Sequence, residues 1–208
     1  MALTTVVFDL GGVLIDWNPR YLYKKLINDP VKMESFLLNV VGHDWNATFD
    51  AGRPFQEGVT ELSRQHPEHA DLISAYHTRW SEMLGDSIQG TVDILRELAN
   101  DKRYRLLALS NWSAETFPYA LKRFDFLKLF ETILVSGEEK MIKPDPKFYQ
   151  LLETRHRVNL NESVFVDDVR KNIDAADALG FKTIRFENAE QLRHDLAKLG
   201  IKLDDKLG

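Results

Sequence analysis

The stretch Thr4-Thr5-Val6-Val7-Phe8-Asp9-Leu10-Gly11-Gly12-Val13-Leu14 decides how the rest of the chain is read. A short apolar run rich in β-branched residues stops at an acid and two glycines, the pattern of a buried strand that ends in a tight turn. Four further runs of the same kind follow: Tyr104–Ser110, Glu131–Ser136, Ser163–Asp167 and Lys182–Phe186. Between them, apolar residues recur at helical spacing over Ile88–Asn100, Ser113–Phe124, Asp145–His156 and Val169–Leu179. Asp145 is placed to cap the third helix with Pro146 in its first turn, and Gly180 to stop the fourth. Strand and helix in alternation predict an α/β fold, a parallel sheet built by right-handed crossovers and covered on both faces.

One segment breaks the alternation. Residues 17–87 carry no strand pattern and divide into helical pieces, Tyr21–Asn28, Val31–Val41, Trp45–Asp50, Phe55–Gln65 and Glu68–Leu84. Asp29-Pro30, Gly42, Gly52-Arg53-Pro54 and His66-Pro67 separate them, as turn and breaker residues do. The expected organisation is therefore a catalytic core of residues 1–16 and 88–208 with a helical cap of residues 17–87. Inserted after the first strand, at the sheet end where ligands bind, such a module acts as a lid. The polar tail Gly200–Gly208 is expected to fray.

Composition narrows the function. The 208 residues are 44% hydrophobic and 28% charged, enough to bury a sizeable core. No apolar run approaches the ~18 residues of a membrane helix. Cysteine is absent, which excludes disulfides, thiolate metal sites and thiol nucleophiles and agrees with a cytoplasmic location. The first residues lack the basic lead and cleavage site of a signal peptide. A formal charge of −5 argues against nucleic-acid and anionic-membrane partners. The sequence sets no oligomeric state.

In a parallel sheet every strand's C-terminal end faces one edge, so the residues that end the apolar runs converge there. Those ends are Asp9, Ser110-Asn111, Lys143-Pro144 in the turn beyond strand three, and Asp167-Asp168. Carboxylates sharing a dry crevice repel one another unless a cation joins them, and hard oxygen ligands favour Mg²⁺. Such a cation, an ammonium and a hydroxyl together suit a small phosphorylated metabolite, whose phosphorus Asp9 can attack.

Four motifs then resemble, in order and spacing, those of the haloacid dehalogenase superfamily of aspartate-nucleophile hydrolases. Phe8-Asp9-Leu10-Gly11-Gly12-Val13-Leu14 is similar to the first, Leu109-Ser110-Asn111 to the second, Lys143-Pro144 to the third, and Val166-Asp167-Asp168 with Asn172 to the fourth. The resemblance spans residues 4 to 187 and implies a Rossmann-like core with a helical-bundle cap, working as a Mg²⁺-dependent phosphatase. It implies Asp9 as nucleophile, Ser110 as phosphoryl holder, Lys143 as charge clamp, and Asp9, Asp168 and the Gly11 main-chain carbonyl as metal ligands. Asp167 and Asn172 are expected to orient the site through hydrogen bonds. Asn111, Trp112, Trp17 and Trp45 are the expected substrate contacts, with Tyr21, Phe49, His43, Asn46 and Arg53 as weaker candidates from the cap.

One departure stands out. Phosphatases of this family usually carry an Asp two residues after the nucleophile, and here Gly11 stands there, which removes the usual general acid and base. Three explanations remain open: a substrate with a good leaving group, such as a sugar 1-phosphate; a substitute acid, Asp16, Asp50 or His43; or a weakly catalytic phosphate-binding module. A branch with Asp-Leu-Gly in the first motif and Asp-Asp in the fourth includes sugar-phosphate phosphatases, which favours the first two. A 2-haloacid dehalogenase is the runner-up, and Asp167-Asp168 argues against it by pointing to a metal.

Overall fold

In the computed structural model, residues 2–203 are described. The sheet consists of β1 (Thr5–Phe8), β4 (Arg105–Ser110), β5 (Thr132–Val135), β6 (Ser163–Asp167) and β7 (Lys182–Arg185), in the order β5-β4-β1-β6-β7 and parallel throughout. Two further strands, β2 (Ile15–Trp17) and β3 (Leu84–Ser87), pair antiparallel as a ribbon. The helices are α1 (Arg20–Tyr23), α2 (Pro30–Asn39), α3 (His43–Asp50), α4 (Phe55–Gln65), α5 (Ala70–Thr78) and α6 (Gln89–Asn100), then α7 (Phe117–Arg123), α8 (Ser136–Glu139), α9 (Pro146–His156), α10 (Arg170–Ala178) and α11 (Ala189–Lys198).

β1 lies at the centre, and its alternating side chains divide the core. Val6 and Phe8, with Leu106, Ala108, Val164 and Val166 on the neighbouring strands, face the cluster that includes α6, α11 and the helices between β2 and β3. Val7, with Leu107, Leu109 and Phe165, faces the opposite cluster under α9 and α10. The nine residues of β1 and β6 are all buried, as a parallel strand covered on both sides requires.

Local signals set several boundaries where the sequence places them. The Asp145 carboxylate accepts from Lys147 N at 2.9 Å and opens α9, while Asp29 does the same for α2 through Val31 N at 2.8 Å. Gly180, at φ +98°, closes the turn after α10.

The differences have identifiable causes. The ribbon overturns the reading of residues 17–87 as strand-free, because Trp17 and Leu84 pair across the whole cap and no local pattern announces so distant a partner. The helix expected over Tyr21–Asn28 stops at Tyr23, and that over Glu68–Leu84 becomes two 3₁₀ segments, α5 and the start of β3. The helix expected over Ser113–Phe124 begins only at Phe117, since Ser113–Thr116 forms a turn in front of Pro118. Helix α11 was not expected, although the Asn188 side chain caps it through Gln191 N at 2.9 Å and Leu192 and Leu196 give it a buried face. Of the tail expected to fray, Ile201 is packed at 1% exposure, and residues 204–208 lie outside the described part.

Candidate active site

The C-terminal edge of the sheet gathers residues that are far apart in sequence. Asp9 follows β1, and its main-chain N–H donates to Val166 O at 2.8 Å, so β6 fixes where the side chain starts. The Asp9 Oδ1 accepts from Leu10 N at 2.7 Å and from the Ser110 hydroxyl at 3.0 Å. Its Oδ2 lies 3.1 Å from Lys143 Nζ. Ser110 is the last residue of β4 and is 1% exposed, so the strand fixes where its hydroxyl starts.

Lys143 is also 1% exposed, and its Nζ donates to Asp167 Oδ2 at 2.7 Å. Asp167, completely buried, is saturated: it also accepts from Val169 N at 2.8 Å and from Asn172 Nδ2 at 3.1 Å on both oxygens. It has little capacity left for a metal and instead anchors Lys143. Asn172 is held in turn by its helix and by the Tyr149 hydroxyl on its carbonyl at 3.0 Å.

Asp168 is different. It is partly exposed, and its oxygens come together with those of Asp9 and Asp167 within 4.8 Å. Gly12, at φ +76°, passes so close that an added Cβ would lie 2.6 Å from Asp168 Oδ2. Any side chain at position 12 would occupy the approach to that carboxylate. Gly11, by contrast, has no atom within 4 Å of where a Cβ would stand, so the space there is open. Hard oxygen donors, one carboxylate with unspent capacity and a glycine keeping its approach clear fit a divalent cation such as Mg²⁺. Asp9, Asp168 and the Gly11 carbonyl are the residues that would hold it.

Charge follows from this crowding. Burial pushes Asp9 up to about 7; Lys143 pulls against it, while Asp167 and Asp168 add to it. Burial works against the Lys143 ammonium, yet Asp9 and Asp167 outweigh it and hold its pKa above the usual lysine value. Burial, then Asp167, also raises Asp168.

The expected substrate contacts separate into distinct roles. Asn111 is committed to the protein: Lys143 N donates to its Oδ1 at 2.8 Å and its Nδ2 donates to Lys143 O at 3.0 Å, so it clamps the loop that delivers the lysine. Trp112 is 5% exposed and packs on Trp80 and Phe117, with ring centroids 5.7 and 5.8 Å away. Trp45 packs edge-on against Phe49 and Tyr76, and Phe49 is itself buried against Phe55. These side chains build the core and the cap interior. Trp17 does face a cavity, of about 700 Å³, that Asn46, Tyr76, Leu37, Val41 and His43 also line. Arg53 pairs with Glu61, and Tyr21 donates to Asp16.

The cap helices dock onto the loops that carry these groups. The Ser136 hydroxyl donates to the Asp50 carbonyl at 2.6 Å and accepts from Trp112 N at 2.9 Å, while Glu115 accepts from Phe55 N at 2.8 Å. Asp50 therefore stands at the junction, where its carboxylate accepts from Asn46 Nδ2 at 3.1 Å. Ser136 and Glu115 escaped sequence reasoning, because nothing local marks a side chain that meets a helix end 60 or more residues away.

A parallel sheet with a helical insertion after β1 and three acids gathered at its C-terminal edge defines the class: an α/β fold with an acid-lined site. The family model described as haloacid dehalogenase-like hydrolase matches residues 6–186, and the chain belongs to that family. It is 34% identical over 194 residues to (S)-2-haloacid dehalogenase 4A of Burkholderia cepacia, covering 88% of this chain and 83% of that one. It is 25% identical to a phosphorylated carbohydrates phosphatase of Thermotoga maritima, over 88% of this chain and 84% of that one. A drimenol cyclase of Aspergillus calidoustus matches at 24% identity over 93% of this chain, which spans only 36% of that protein. Among solved structures, a HAD family enzyme of Bacteroides thetaiotaomicron in complex with magnesium and inorganic phosphate is similar in fold, with TM-score 0.67 and 23% identity over 90% of this chain and 96% of that one.

Proposed function

We propose that this protein is a Mg²⁺-dependent phosphatase acting on a small phosphorylated metabolite through a phosphoryl group carried on Asp9. The observation that carries the reading is the meeting of Asp9, Asp167 and Asp168 within 4.8 Å, with a buried lysine bridging the first two and Gly12 clearing the third. A bound Mg²⁺ would neutralise the acids and polarise the phosphoryl oxygens. The chain does the rest. Asp9, oriented by Leu10 N and Ser110, attacks phosphorus; Lys143 balances the charge of nucleophile and phosphoryl group; Ser110 is placed to turn its hydroxyl to the transferred group. Enclosure by the cap limits bulk water.

A sugar phosphate is the favoured substrate class. The cavity that Trp17 lines also carries the polar side chains of Asn18, Ser35 and Asn39, a lining suited to a compact hydroxylated body. The relative acting on phosphorylated carbohydrates supports this choice. The dehalogenase relative supports a second reading, carboxylate attack on a 2-haloacid without metal.

p-Nitrophenyl phosphate and a sugar 1-phosphate, assayed with Mg²⁺ and with EDTA, separate these readings. Mg²⁺-dependent release of phosphate from both is expected, falling by at least about 10³-fold in Asp9→Asn, as loss of a nucleophile does. Phosphate binding without turnover would make the protein a binding module, and chloride release from 2-chloropropionate in EDTA would make it a dehalogenase.

A further inference from the structure

Gly11 leaves the site without the carboxyl that would protonate a leaving oxygen, and the tertiary structure distinguishes the three possible replacements. Asp16 accepts from the exposed Tyr21 hydroxyl and lies against Gly85 of the ribbon. The His43 side chain is 79% exposed and pairs with Asp44 at the rim of the cap cavity. Asp16 follows Ile15, which bonds to Leu10 and Gly12, but Asp50 is the one of the three fastened to the loops after β4 and β5. Its carbonyl takes the Ser136 hydroxyl, which also holds Trp112 N, two residues beyond Ser110. Its carboxylate accepts from Asn46 Nδ2 at 3.1 Å and lies in the field of Lys143.

We propose that Asp50 is the general acid and base of the hydrolysis, supplied by the cap in place of the carboxyl missing at Gly11. This rests on the phosphatase reading and adds to it that the chemistry is complete only with the cap docked. In the first step the Asp9 carboxylate attacks phosphorus, the ester P–O bond breaks with its electron pair on the leaving oxygen, and that oxygen takes the Asp50 proton. In the second, water attacks the phosphoryl group on Asp9 and gives its proton to the Asp50 carboxylate. The bond to Asp9 then breaks, releasing inorganic phosphate and restoring both side chains.

The surroundings of Asp50 suit both roles. Burial pushes its carboxyl up to about 7, against the Ser113 N–H and Lys143, so both protonation states are accessible near neutrality. The groups that face it are Lys143 from the loop before α9, Asn46 from its own helix, and Tyr76 from α5, whose hydroxyl donates to Asn46 Oδ1 at 2.8 Å. Asn46 thus keeps the carboxyl oriented without adding charge.

The test is Asp50→Asn in the Mg²⁺-loaded protein, read as kcat/KM on p-nitrophenyl phosphate, whose leaving group departs unaided, and on glycerol phosphate, whose leaving group needs a proton. Glycerol phosphate turnover is expected to fall about 10²–10⁴-fold and p-nitrophenyl phosphate only a few-fold. In the unmodified protein, kcat/KM for glycerol phosphate alone should decline as pH rises through about 7, because the acid form of Asp50 is then lost. This profile needs no variant to fold. Equal losses on both substrates, or the same pH limb on both, would overturn the role of Asp50 while leaving the phosphatase intact. No Mg²⁺-dependent turnover in the unmodified protein would overturn both.

Discussion

Asp9, Asp167 and Lys143 illustrate how much chemistry a few buried atoms can hold. Two carboxylates share one ammonium at 3.1 and 2.7 Å, and Asp167 spends its remaining capacity on Val169 N and Asn172. Asp9 is left as the reactive member because its donors hold it without saturating it. Gly12 is the residue whose smallness matters most, since both its φ of +76° and the 2.6 Å approach to Asp168 exclude a side chain. Gly12→Ala is expected to weaken Mg²⁺ binding by about 10-fold or more, the usual cost of disturbing groups around a metal ligand. Titration calorimetry with Mg²⁺ checks this, and an unchanged affinity would place the cation elsewhere. The acids, Ser110 and Lys143 were legible in the sequence because strand ends of a parallel sheet must converge. The double hydrogen bond from Asn111 to the Lys143 backbone was not, because it joins loops 32 residues apart through one amide.

Among elements, α3 and the β2/β3 ribbon join cap to core. The ribbon brackets the cap helices, and α3 ends on the Ser136 hydroxyl, which serves Asp50 O and Trp112 N together. Ser136 is completely buried, so its removal strands the buried Trp112 N–H and takes a donor from the Asp50 carbonyl. Ser136→Ala is expected to cost about 1–3 kcal/mol, the penalty for unsatisfied buried polar groups, measured by urea unfolding. Faster hydrogen exchange at the Trp112 amide should accompany it. Normal exchange there would mean that another donor or water replaces the hydroxyl. The short strands β2 and β3 resisted sequence reading because elements of three or four residues carry too few apolar positions to show a period.

For the whole molecule, a chain of formal charge −5 gathers Asp9, Asp167 and Asp168 at one sheet edge, where the proposed substrate is itself an anion. The proposed cation at Asp9 and Asp168 would remove the conflict and tie β1 to β6, and so would stabilise the folded state. Mg²⁺ at 100 times its dissociation constant contributes about 2.7 kcal/mol. At the usual scaling for about 200 residues this is a rise in Tm of roughly 5–10 °C. The rise should appear in differential scanning calorimetry, reverse with EDTA and vanish in Asp168→Asn. A rise that survives Asp168→Asn would assign the stabilisation to another site. The apolar cluster is continuous from Val6 and Phe8 into Phe36, Phe49 and Tyr76 of the cap, so the insertion is packed as part of the body that it covers.

The sequence by itself determined the parallel sheet, the inserted helices and the reactive edge, because strand and helix periods are local and parallel topology then places every strand end on one side. Tertiary structure alone decided which acids remain free, that Asn111 and Trp112 hold loops and core together, that a ribbon closes the base of the cap, and that the end of α3 meets Ser136. Each of these depends on contacts between residues far apart in the chain, where geometry and burial decide which partner a polar atom meets.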